Sequence, residues 1–153
     1  VALSIGYLVG GRLSLATPSL SRFGILFLGG ALFIGPLLFF GTEVMAWVFE
    51  RWEDPRYGSL LAALVLFFPP TVMLGMISPY SVRLLVRQTE HSGNVAGLLY
   101  FVSTFGSAVG TLGTSFYFVL WFEVDTIIAG LIGLLLLAAV AGIVVARLTE
   151  TRA

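Results

Sequence analysis

The stretch Phe23–Gly41 reads FGILFLGGALFIGPLLFFG, an apolar run without a single charged side chain. A transmembrane helix needs about 20 predominantly apolar residues, with a range of roughly 17–25, so this run predicts a full membrane span. Pro36 lies inside it and predicts a kink, because proline removes one backbone donor and its ring clashes with the preceding turn.

Similar runs lie on both sides. Val1 to Gly11 is apolar and ends at Arg12. It is too short to cross alone and is expected to be the last half or two-thirds of a helix. Ser59 to Tyr80 is a second full span; it carries Pro69, Pro70 and Pro79, and the proline pair predicts a bend or break near its middle. Val95 to Phe122 is a long span rich in Gly, Ser and Thr, and Thr126 to Ala146 is built mostly of Leu, Ile, Val, Ala and Gly. The expected fold is an all-α integral membrane bundle in a single domain. It has four full transmembrane helices (23–41, 59–80, 95–122 and 126–146) and one partial N-terminal helix (1–11). The start has no Met and no basic segment before its apolar run, so it does not read as a signal peptide; a piece of a longer chain is expected.

Composition agrees with lipid as the solvent. Of the 153 residues 58% are hydrophobic and 10% charged, and the mean hydropathy is +1.03, where a soluble domain carries about 25% charged residues. With no Cys, disulfides and thiolate chemistry are excluded. With His91 as the one histidine, paired-His haem ligation and a His-based metal site within one chain are excluded too, and no cofactor is expected. A formal net charge of zero argues against a strongly charged partner such as nucleic acid.

The charges segregate by connection. Segment 12–22 holds Arg12 and Arg22, segment 82–94 holds Arg83, Arg87, Glu90 and His91, and the tail after Ala146 holds Arg147, Glu150 and Arg152. Segment 42–58 holds Glu43, Glu50, Glu53 and Asp54 against Arg51 and Arg56, and the turn before the last span holds Glu123 and Asp125. Short cytoplasmic loops carry excess Lys and Arg. The first group and the C-terminus are therefore expected in the cytoplasm, with 42–58 outside, in a multi-pass protein of a bacterial inner membrane. Within 42–58, VMAWVFERW could form a short amphipathic helix, with Trp47 and Trp52 at the water boundary.

No Asp, Glu, Arg or His falls at the centre of a span, although such residues mark proton relays and ion paths in transporters. The span 95–122 is the most informative for function. Gly106, Gly110 and Gly113, with Ser103, Ser107, Thr111, Thr114 and Ser115, make one side of it small. Gly106-x-x-x-Gly110 is the spacing that lets two helix backbones approach closely. Helix packing, a polar cavity lining and a dimer seam are all open readings of this face. The proline breaks also have two readings, a structural kink or freed carbonyls lining a site. Arg12, after Gly10 and Gly11, fits lipid headgroups or a helix end. No nucleophile elbow, phosphate-binding glycine loop or dinucleotide fingerprint is present.

Three stretches carry a resemblance. They are GYLVGGRL (6–13), FPPTVMLGMISPYSVRL (68–84) and GLLYFVSTFGSAVGT (97–111). The last two resemble the membrane region of fused spermidine synthase-like bacterial proteins, in which a major-facilitator-like helical domain precedes a cytoplasmic aminopropyltransferase-like domain. The first is similar to the loop after the second helix of major facilitator transporters, although the run after Arg12, LSLATPSLSR, contains no acid. The resemblance implies most of a six-helix major-facilitator half, beginning with its second helix, and an enzymatic domain beyond Ala153. The expected function is a membrane-embedded anchoring and interaction domain, without catalysis of its own, of such a protein or of a larger membrane complex. Its expected partners are the bilayer and other membrane subunits or a second copy. The alternative is a transport domain for a small molecule such as a polyamine, for which Tyr100 and Tyr117 are the available aromatic groups.

Overall fold

A computed structural model describes residues 1–15, 18–52, 54–86 and 92–150. The described residues are almost all helical, in the order α1 (Ala2–Leu15), α2 (Leu20–Arg51), α3 (Pro55–Gly75), α4 (Ile77–Leu85), α5 (Ser92–Gly113), a π-helical turn (Thr114–Phe118), α6 (Val119–Trp121) and α7 (Val124–Glu150). Among the described residues there is no strand. Among the described residues, four helical segments are long and apolar enough to cross a membrane: Leu20–Arg51, Pro55–Leu85, Gly93–Trp121 and Val124–Thr149.

Local chemistry sets several of the boundaries. The Ser19 side chain accepts from the Arg22 backbone N–H at 3.2 Å and caps α2. At the far end Trp52 is extended, Asp54 accepts from the Arg56 N–H at 2.9 Å, and Pro55 opens α3. An acidic cap followed by proline is a strong start signal, since proline has no N–H to leave unpaired. Between Gly41 and Arg51 nothing interrupts the helix. The polar segment expected as a connection with a short helix of its own therefore continues α2 without a break.

The break expected near the Pro69–Pro70 pair falls elsewhere. Pro36 lies within an unbroken α2, and Pro69 and Pro70 within an unbroken α3. The helix is interrupted at Met76, whose N–H bonds to the Met73 carbonyl at 3.2 Å, one residue short of the α-helical partner. Pro79 sits in the first turn of α4, where a missing donor costs nothing.

α2 is the hub, packing on α3 along one side and α7 along another. Ala31, Ile34 and Leu135 form its buried centre, with Phe27, Leu74, Ile128 and Ile132 against them. The backbones meet at glycines. A methyl on Gly24 would lie 2.7 Å from the Ala139 carbonyl oxygen, and one on Gly142 would lie 3.2 Å from the Gly24 Cα. On α1 the pattern is Gly6-x-x-x-Gly10: a methyl on Gly6 would lie 2.9 Å from the Gly75 Cα, and one on Gly10 2.6 Å from the Met76 Cα. Such close approach replaces the hydrophobic drive that lipid removes.

These contacts also fix direction. Gly24 meets Ala139 while Gly30 meets Leu135, and Gly29 meets Met73 while Gly58 meets Phe49. α2 is therefore antiparallel to both α7 and α3. One end of the bundle carries Arg12, Arg22, Arg83, Arg147 and Glu150, and the other carries Glu43, Glu50, Arg51, Asp54, Arg56, Glu123 and Asp125. Arg87, His91 and Arg152 lie outside the described residues.

Candidate functional site

The small face of the third long span borders open space. No residue between Gly93 and Trp121 is buried, and α5 leans on the rest of the chain chiefly through α4. A methyl on Gly106 or Gly110 would meet nothing within 4 Å, and one on Gly113 would touch only the Phe118 ring at 3.8 Å. Among the described residues, then, the spacing Gly106-x-x-x-Gly110 seats no helix, whereas the same spacing in α1 does.

A groove runs between α1, the α3–α4 junction and α5. Tyr7, Leu74, Gly75, Ser78, Ser81, Ser103 and Ser107 are among the residues lining about 400 Å³ of it. It continues along α5 past Thr104, Ala108 and Thr111, again with Tyr7 on the opposite wall. Tyr7 follows Gly6 by one residue, a rotation of about 100°. The same glycine that seats α1 against Gly75 thus turns the phenol toward the groove. Ser103, Ser107 and Thr111 recur every four residues and form one stripe of its far wall.

The hydroxyls of this wall, like those of Ser4, Thr42, Thr71, Ser78, Thr114 and Thr126, differ from four others in the chain. Ser14, Ser59, Ser81 and Thr149 each donate to a carbonyl three or four residues earlier in their own helix. Ser103, Thr104, Ser107 and Thr111 have no hydrogen-bond partner among the described residues. A second groove, on the other side of α5, is apolar; Gly110 joins Thr114, Phe118, Phe122, Gly130 and Leu134 around about 560 Å³. A third borders Pro36 between α2 and α7.

The arginines singled out in the sequence occupy helix ends. Arg12 and Arg83 are exposed in the last turns of α1 and α4, where the carbonyl end of the helix favours a cation. Arg87 lies outside the described residues. Among the described residues no group of three His, Cys, Asp or Glu side chains is placed to hold a metal ion.

Tyr7 and the serines of α4 were not legible as site residues, because only the crossing of α1 over Gly75 brings them opposite α5. The one available signal was the Gly6–Gly10 spacing, which predicts a close helix contact without naming the helix it meets. Comparison with family models, curated proteins and solved structures gives no match to this chain.

Proposed function

We propose that this chain is a membrane-embedded interaction domain whose α5 face receives a transmembrane helix from another subunit or another part of the same assembly. The observation that carries the reading is α5 itself: a membrane-length helix with no buried residue, presenting glycines and unpaired hydroxyls. Lipid gains little from such a surface. Small residues permit close backbone approach, and Ser and Thr hydrogen-bond across helices. The absence of ionisable groups at the span centres fits a docking role better than an ion-coupled one.

The resemblance to fused spermidine synthase-like proteins supplies a setting. In it α1, α2, α3–α4, α5–α6 and α7 are helices two to six of a major-facilitator-like half in a bacterial inner membrane. The arginine-bearing end, which includes the C-terminal end of α7, then faces the cytoplasm, where a synthase-like domain would attach.

The chain contains no cysteine, so one introduced as Ser107→Cys is a unique handle. Gentle purification after crosslinking from this position, followed by mass spectrometry, is expected to recover a second membrane polypeptide joined to α5. Recovery of the uncrosslinked chain alone, with efficient lipid labelling at the same position, overturns the proposal.

A second reading is favoured by the groove between Tyr7 and the α5 hydroxyls, which would suit the path of a small polar molecule such as a polyamine. Uptake of labelled polyamine by liposomes holding the purified chain, lost in Tyr7→Ala, would move the balance to transport.

A further inference from the structure

We draw no further inference here: the strongest candidate outside the site already described, the apolar groove between α5 and α7 lined by Gly110, Phe118, Phe122, Gly130 and Leu134, is an unpartnered face, and nothing in the structure shows what covers it.

Discussion

The phenol of Tyr80, on α4, is hydrogen-bonded to the backbone of Ser19, the cap of α2, sixty-one positions earlier. Its oxygen accepts from the Ser19 N–H at 3.1 Å and lies 3.4 Å from the Ser19 carbonyl oxygen, to which it donates. Tyr80 is fully buried, and its ring stacks on Phe23 with centroids 6.1 Å apart. One side chain therefore fixes the start of α2 to the end of the α3–α4 span. Tyr80→Phe keeps the stacking and removes both bonds. It is expected to cost about 1–3 kcal/mol, the range for a buried polar group left unpaired. Tyr80→Ala, which also leaves a cavity, should cost about 3–5 kcal/mol. Equilibrium unfolding in detergent measures both, and equal losses in the two variants would show that the hydroxyl is the whole effect.

Glycines in the chain should separate into two classes. Gly10→Leu and Gly24→Val push side chains into the backbone of Met76 and of Ala139, and each should lower stability by at least about 1–3 kcal/mol, as overpacking does. Gly11 and Gly35 have nothing within 4 Å of an added methyl, so Gly11→Ala and Gly35→Ala should be neutral or stabilising by about 0.5–1 kcal/mol through helix propensity. Thermal midpoints of the four variants decide the matter.

Gly106→Leu distinguishes the fold of the chain from its association. With open space around Gly106, the isolated chain should keep its thermal midpoint within experimental error, while the amount of co-purifying partner falls at least tenfold. A variant that unfolds outright would place Gly106 in an internal contact instead.

Asp54 caps α3 through the Arg56 N–H. Asp54→Ala should cost about 1 kcal/mol, with Asp54→Asn retaining most of it because the amide oxygen can accept the same bond. Hydrogen exchange at the first turn of α3 is the sensitive readout, and it should quicken in Asp54→Ala alone.

The antiparallel order predicts opposite accessibilities, and the proposed cytoplasmic arginine end gives them a direction. In intact cells, Arg56→Cys should then react with a membrane-impermeant maleimide, and Thr149→Cys should react only after the membrane is opened. The reverse pattern would remove the segregation of arginines as an orientation signal, and labelling of both from outside would overturn the antiparallel order.

Much of the helical layout is legible in the sequence. Long uncharged runs, separated by charged segments of alternating character, mark the four long spans because hydrocarbon tolerates little else. Asp54-Pro55 is a start signal that needs no tertiary context, yet reading by polarity places the start of that span at Ser59, four residues after the helix begins. What stays hidden depends on neighbours. Thr42 to Arg51 looks like a connection by polarity, yet its residues are acceptable helix formers and nothing stops α2 before Trp52. Pro69 and Pro70 look like the break, but the interruption falls at Met76, beside the glycine where α1 crosses. The spacing in Gly6–Gly10 and Gly106–Gly110 is identical, and only the first meets another backbone. A pattern of small residues states what a face permits without stating what arrives there.

The length of α2 has a consequence for the membrane that holds it. Its uncharged portion from Phe23 to Thr42 covers about 30 Å at about 1.5 Å per residue, which matches an average hydrocarbon layer. With that portion in the hydrocarbon, the turns from Glu43 to Arg51 would extend about 13 Å beyond it, where the fully buried Val48 and the Phe49–Gly58 contact hold them to α3. A thicker bilayer would draw Glu43 toward hydrocarbon, at a cost that grows with each ångström of mismatch. The helix thus acts as a gauge, and the chain should partition away from bilayers much thicker than its uncharged stretch.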